Sequence, residues 1–316
     1  MNIFTTQVFL ETAGELFFPH RSRRIEICRL EGRRLPMLVL DGEEIAGRMN
    51  FYDYPQPLDD AKGPIDREIL WLPRTVVRTT TVAERTEAEP PGQQPAPYID
   101  WRVHPTFEKY EDDWRARGAV KSNDSARQRR RIERELGPLK FEFDDVRPEV
   151  FDACITWKSA QYRASGFVDM FADPHNIALF RRLKEKGALV VSSLSAGPTL
   201  LAVHFGASSD RRLASWIPAY DVAFQKYSPG RLLLEDMLKA SHARGDLEFD
   251  FLIGNEGYKF QFATHNRVIG EVGSPPVRHL VTTKTRAKVK SFLENNPRAK
   301  ALFQKVRALA PGPRPK

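Results

Sequence analysis

The stretch KYSPGRLLLEDML, residues 226–238, begins as a turn and continues as a helix. Ser228-Pro229-Gly230 cannot lie inside a helix, and Leu232, Leu233, Leu234, Met237 and Leu238 follow with helical spacing. A helix N-terminus leaves backbone N–H groups unpaired and carries partial positive charge, so a phosphate can be seated there. Gly230 lets a ligand approach the backbone, and Lys226 and Arg231 add charge. Gln225, Lys226, Tyr227, Ser228, Gly230, Arg231 and Leu232 are the residues of such a seat. S-P-G is also a common turn before a helix, so an ordinary helix opening is the competing reading. A second charged run, RQRRRIER at 127–134, puts Arg127, Arg130, Arg131 and Arg134 on one broad helical face. It reads either as a solvated face or as an anion site for a charged substrate.

The elements that must position these groups follow from periodicity. The first 86 residues read mainly as strands and turns, with a hairpin signal at Asp41-Gly42 and a run from Ile69 to Val77 broken by Pro73. EAEPPGQQPAP, residues 87–97, reads as an exposed loop or linker. Phe107, Tyr110 and Trp114 make the apolar stripe of one helix. The arginine-rich helix follows and stops at Gly137-Pro138. From Leu139 the pattern is strand, two helices (149–164 and 176–186) and a three-strand meander ending in LASWIPAY. The 226–244 turn and helix come next, and then a strand over 247–253. A helix joining two parallel neighbours begins near the C-terminal end of the first strand, which sets the phosphate-like turn beside a gap in the sheet. The predicted organisation is a β-rich unit over 1–100, connecting helices over 101–137, a third unit over 138–275 and a basic tail over 276–316.

Length and composition bound the class. With 316 residues, 41% hydrophobic and 28% charged, the chain can bury a core and is not a disordered one. No stretch approaches the roughly 18 apolar residues of a membrane span, and the N-terminus does not fit a secretory signal. Cys28 and Cys154 stand far apart with no CxxC spacing, which argues against a disulfide framework or zinc site and fits a reducing cytoplasm. The net charge of +8 is concentrated. Residues 284–316 hold ten Lys or Arg against Glu294 alone, +9 in all, which leaves the other 283 residues at −1. The basic balance therefore belongs to the tail. It suits peripheral contact with an anionic membrane surface at the inner leaflet, or is a solvated helix. Nucleic acid is not an expected partner of the main body.

YSPGRLLLEDML followed by LEFDFLIGNEGYKFQF closely resembles CelD-type members of the GNAT acyltransferases, also grouped as FemAB-like acetyltransferases. The arginine-rich helix and FVDMFADP at 167–174 resemble them too. The chain has Asn255 where that pattern has Asp and Gly257 where it has Pro, and it keeps Gly254, Glu256, Tyr258 and Lys259. The usual GNAT phosphate loop, Gln or Arg followed by paired glycines, is absent as such. The resemblance spans roughly residues 105–265. It implies an α/β (α+β) fold with a mixed, mostly antiparallel GNAT-like sheet flanked by helices, in tandem with a degenerate N-terminal GNAT-like half. It also implies a diphosphate seat for acetyl-CoA or another acyl-CoA as co-substrate, no metal, and a saccharide or other small-molecule acceptor from the cell envelope or an exopolysaccharide. Two alternatives share the fold: transfer from aminoacyl-tRNA, and a non-catalytic binding protein of a polysaccharide assembly.

Attack of an amine on a thioester needs a proton acceptor, an oxyanion donor and an acid for the thiolate. A backbone N–H at the end of the 213–220 strand suits the oxyanion, and Tyr258 the thiolate. Glu256 and Asp250 are candidate bases, and Lys259 suits an acceptor anion. Each has a plainer reading. Asp250 caps a loop, Glu256 is an exposed turn residue, and Tyr258 packs with Phe260 and Phe262 on one strand face. His204 is a core or site-wall histidine. Trp216 and Tyr220 line either the acyl or acceptor groove or the core. No HExxH or Gly-x-Ser-x-Gly pattern occurs.

Overall fold

The computed structural model describes residues 2–46, 49–58, 64–84, 89–117, 122–276 and 296. The basic tail expected over 276–316 therefore lies outside the described residues, apart from 276 and 296.

Twelve strands and seven α-helices are described. Helix α1 (Gln7–Phe17) precedes β1 (Arg23–Leu30), β2 (Arg33–Leu40), β3 (Glu44–Ile45), β4 (Arg67–Glu68), β5 (Trp71–Thr81) and β6 (Gln94–Asp100). Helices α2 (Phe107–Ala116) and α3 (Ser122–Leu136) lead to β7 (Leu139–Glu142), α4 (Pro148–Ala164) and α5 (Pro174–Glu185). The meander is β8 (Leu189–Ala196), β9 (Thr199–Ser209) and β10 (Arg212–Tyr220). After it come α6 (Pro229–Ala243), β11 (Glu248–Asp250), α7 (Gly257–Phe262) and β12 (His265–Gly273).

Eight strands form one sheet in the order β5-β12-β6-β11-β10-β9-β8-β7, and four short ones form another in the order β3-β2-β1-β4. Every pairing in the large sheet is antiparallel except β10 with β11. The expected mixed, mostly antiparallel sheet flanked by helices is the fold observed. One face is covered by α1, α4 and α5 through Phe9, Phe151 and Phe180, which meet Val203 and Phe205. The other is covered by α2, α3 and α6 through Trp114, Ile132 and Met237, which meet Leu201 and Phe249. The small sheet packs through Cys28, Leu35 and Met37 on Leu72 and Val272.

Four local expectations need correction. Residues 7–17 are a helix where strands and turns were expected. Thr6 caps it by accepting the Phe9 N–H, and Gly14 is where the helix presses on β1 and β2. A Cβ there would stand 3.1 Å from both Leu38 and Arg23. The proline-rich end of 87–97 is not an exposed linker, because Gln94–Pro97 opens the interior strand β6, where Pro95 and Pro97 are buried. Their carbonyls accept from Gly254 and Phe251, so their missing donors face the side on which β11 has already ended. Pro73 does not break its run. It lies in edge strand β5 where the register with β12 shifts, and there a missing N–H is tolerated. Finally, 247–253 pairs only over Glu248–Asp250, and 257–262 is a short helix. Tyr258 and Phe262 share its side and Phe260 does not, because helical rather than strand spacing applies.

Trp216 belongs to the packed interior. It is 8% exposed, with its ring 4.8 Å from Phe180 and 5.6 Å from Phe4. Trp216→Ala should lower unfolding free energy by about 3–5 kcal/mol, measurable by urea titration.

Candidate functional site

Strands β10 and β11 run parallel for three pairs, Arg212–Glu248, Leu213–Phe249 and Ala214–Asp250, and then separate. Both strands contribute to the parting. A bulge between Ser215 and Ile217 re-aims β10 against β9. In β11 the Asp250 carboxylate accepts the Leu252 N–H at 2.8 Å, and Leu252 takes a left-handed conformation at φ 59°. A non-glycine residue there costs about 1–2 kcal/mol, and the Asp250 bond holds it. The chain turns away through Ile253 and Gly254, and residues 215–220 of β10 continue without β11 beside them. This wedge is the site.

The start of α6 faces the same end of β10. Ser228 is its N-cap in a left-handed conformation (φ 53°, ψ 47°), and its side chain makes no cap hydrogen bond. A Cβ on Gly230 would lie 3.4 Å from the Tyr220 ring, so Tyr220 stands against the first turn. Gln225, Lys226 and Ser228 are exposed, while Tyr227 and Leu232 are buried and anchor the turn in the core. The Arg231 Nε donates to Glu235 at 3.1 Å, and its Nη2 is buried without a partner. This start of a helix, with no side chain capping it, can take an anion.

The wedge has three further walls. From α4, Cys154, Lys158 and Tyr162 form one stripe at i, i+4 and i+8. Lys158 donates to the Pro218 carbonyl at 3.2 Å, and its nitrogen lies 5.3 Å from the Tyr162 ring centre. Burial lowers the Lys158 pKa, and the Glu256 charge opposes that. From the turn after β11, Lys259 donates to the Ile253 carbonyl at 3.0 Å and pairs with Glu256 at 3.1 Å. A Cβ on Gly254, whose φ is 155°, would meet the Glu256 carboxylate and the Lys259 ammonium, so both side chains would have to shift to admit it. Tyr258 is 40% exposed, and burial first, then the Glu256 charge, raises its pKa, so it is protonated near neutrality.

The third wall comes from residues 50–56, which sequence reasoning did not include. Tyr54 is buried and donates to Asp250 at 2.6 Å. Asp53 is partly buried and accepts the Ile253 N–H at 3.3 Å. Burial raises the Asp53 pKa to about 6, against the opposing pull of that N–H, Arg74 and Lys259. Nothing in FYDYP marks this aspartate, since its partners are about 200 residues away. Lys158 and Tyr162 carried a legible signal, the helical stripe with Cys154.

The sequence-selected residues thus divide. Gly230, Tyr220, Glu256, Tyr258 and Lys259 surround the wedge. Asp250 shapes it instead of opening into it. It is 3% exposed and committed to Tyr54, Leu252 and, at 3.5 Å, Arg267. Burial raises its pKa against the Arg267 charge, and both of its oxygens are engaged by protein donors in the interior, so it is not placed to take a substrate proton. His204 is buried on β9 with Nε2 2.8 Å from the Ser215 hydroxyl. Burial, then the Lys158 charge, lowers its pKa to about 3, so it is neutral. On α3, Arg127 pairs with Asp124 and Arg130 is exposed. Arg131 stacks over Tyr227 and pairs with Glu135, and Arg134 pairs with the same carboxylate. Arg129 is the inward arginine of that helix, bound to Asp236 and the Leu232 carbonyl. Among the described residues no group of three His, Cys, Asp or Glu could hold a metal, and no helix is long and apolar enough to cross a membrane.

The Asp53 pKa has a consequence for stability. Its folded value, about 6, exceeds the ordinary 3.8. The folded state therefore holds the proton more tightly, and stability falls as pH rises from about 4 to 6. Asp53→Asn should raise stability at pH 7.5 by up to about 3 kcal/mol and leave it nearly unchanged at pH 4, as thermal melts at the two pH values would read.

Residues 120–260 match the family described as an acetyltransferase (GNAT) domain. No curated protein matches the chain. Among solved structures the chain is similar to FemX, at 8% identity and a TM-score of 0.54, over 89% of this chain and 94% of that one. It also aligns with L-PGS from Bacillus licheniformis at 10% identity and a TM-score of 0.45, covering 88% and 91%. A tandem GNAT protein from the clavulanic acid biosynthesis pathway aligns at 10% identity and 0.36, covering 78% and 82%. The FemX likeness speaks to fold alone. The family match covers residues 120–260, the stretch that supplies α3, α4, β10, α6 and β11.

Proposed function

We propose that the chain is an N-acyltransferase that moves an acyl group from acetyl-CoA or another acyl-CoA to an amine of an amino sugar or related cell-envelope or exopolysaccharide precursor. The observation that carries this reading is the parting of β10 from β11 beside the α6 N-terminus, which no side chain caps. The diphosphate of CoA suits the Gly230 N–H at this helix start, where Pro229 has no donor and the Arg231 and Leu232 N–H groups bond the Ser228 carbonyl, with the Arg231 guanidinium beside it. The amide-bearing arm of CoA suits the free edge of β10, because an extended chain of amides can pair with a strand that has lost its neighbour.

In the reaction the amine nitrogen bonds to the acyl carbon and the C–S bond breaks. The amine proton passes to Asp53 or to Glu256, directly or through water, and the Tyr258 phenol gives its proton to the departing thiolate. A backbone N–H of β10 beyond the bulge steadies the oxyanion. Asp53 suits the base because its pKa is poised near 6 and Lys259 acts on its charge. Lys259 itself is 9% exposed and pinned to Ile253 and Glu256, which suits a positioning role.

A second reading, an aminoacyl-tRNA donor, is favoured by one observation. Arg127 and Arg134 on α3 are 71% and 73% exposed beside the α6 start, and Arg130 is exposed with them. A cytoplasmic protein lying against the inner membrane surface through its basic residues 284–316 fits either donor. Liposome binding of the full chain and of residues 1–283 tests that placement, which equal binding would remove.

Calorimetry with CoA and acyl-CoAs should show micromolar binding that weakens about tenfold in Arg231→Ala. No binding to any CoA, with binding to charged tRNA, would turn the reading to the second donor. In an assay that follows CoA release, Tyr258→Phe should lower kcat by about 100-fold or more with donor affinity unchanged, and the rate should rise with pH through about 6 and lose that limb in Asp53→Asn. Unchanged turnover in Tyr258→Phe would exclude the phenol as the acid.

A further inference from the structure

Glu135, the penultimate residue of α3, projects to the loop that leads into α6. Its Oε2 accepts the Tyr227 hydroxyl at 2.6 Å and lies 4.0 Å from the Lys226 nitrogen. Its Oε1 accepts from Arg131 at 3.0 Å and from Arg134 at 3.2 Å. Three cations and a phenol therefore converge on one carboxylate, and the Tyr227 hydroxyl first, then Arg131, lowers its pKa to about 2. The Tyr227 ring adds to the cluster, with the Arg131 guanidinium 5.1 Å and the Lys226 ammonium 4.7 Å from its centre. Tyr227 is fixed in the core, and it stands two residues before Pro229, the first residue of α6.

The cluster has more donors than a carboxylate can use. Lys226 stops at 4.0 Å and is 58% exposed, while Glu135 itself is 32% exposed and Arg131 39%. A phosphate brings three terminal oxygens and up to two charges, where Glu135 brings two oxygens and one charge. We propose that Tyr227, Arg131, Arg134 and Lys226 form a phosphate subsite next to the α6 N-terminus, and that Glu135 fills it as an internal stand-in until a phosphate of the ligand displaces it. This rests on the reading of the wedge as a nucleotide-donor site and names where a second phosphate of that donor is held. Displacement requires only that the Glu135 side chain swing toward solvent. Until then the carboxylate offsets one of three positive charges that would otherwise repel one another more strongly.

The full chain is titrated calorimetrically with inorganic pyrophosphate, CoA and 3′-dephospho-CoA at low and at moderate salt. Removing the stand-in charge in Glu135→Gln should tighten pyrophosphate and CoA binding about five- to tenfold and steepen the salt dependence. Arg131→Ala and Tyr227→Phe should weaken both. A preference for CoA over 3′-dephospho-CoA that shrinks in Arg131→Ala assigns the subsite to the 3′-phosphate, and an equal response of the two assigns it to the diphosphate. Equal or weaker pyrophosphate binding in Glu135→Gln overturns the inference, whether or not the melting temperature falls, since Glu135 is then a latch between α3 and the loop. If CoA binds to neither protein, the donor reading fails. Tighter pyrophosphate binding in Glu135→Gln upholds the subsite even then, and no gain with pyrophosphate rejects it independently.

Discussion

The hydrogen bond from the Leu252 N–H to the Asp250 carboxylate decides the architecture of the wedge. It acts together with the bulge between Ser215 and Ile217, which re-aims β10 from the other side of the gap. With this bond β11 ends after three residues and Leu252 is held in a conformation that leucine alone would avoid. The bond survives because the carboxylate is itself fixed by Tyr54 and faced by Arg267. Arg267 is in turn paired with Glu248, and its guanidinium lies 3.7 Å from the Tyr98 ring centre. A buried ionic network is a weak source of net stability, but removing one member leaves an uncompensated charge. Its observed consequence here is geometric, because it fixes where two parallel strands stop being neighbours.

The wedge is assembled from parts far apart in sequence. The helix start at 228–231 and the turn at 253–259 supply two sides, α4 a third, and residues 50–56 the last. The electrostatics follow from that assembly. Lys158, Lys259, Glu256 and Asp53 act on one another in a partly buried space, where charges are screened less than at the surface. His204 and Asp250 are more deeply enclosed. Burial leaves the first neutral, and the hydrogen bonds of the second are already taken.

Much of the C-terminal arrangement was legible. The meander, the two helices before it and the turn and helix at 226–244 all follow from periodicity and from the placement of glycine and proline, which are local signals. The misreadings have physical causes. The prolines of β6 look like breakers because local propensity counts against them, yet each sits where the packing needs it. Gly14 allows a helix to touch a sheet. Pro95 and Pro97 lack donors on the side where no strand remains to receive them. Glu256, Tyr258 and Lys259 could be singled out as a cluster because they are sequence neighbours. Asp53 and Tyr54 could not, since their meaning lies wholly in contacts with residues near 250.

The order of the large sheet places β6, from before residue 101, between β11 and β12. The GNAT match begins at residue 120, so it omits the strand that protects the outer edge of β11. A fragment excised at those limits would present a three-residue strand with its amides and carbonyls bare, next to Phe249 and Phe251 stripped of cover. Exposed edges of this kind recruit other chains. Attempts to isolate the transferase unit on its own should therefore yield self-association, and the smallest piece that stays monodisperse must carry the N-terminal strands with it.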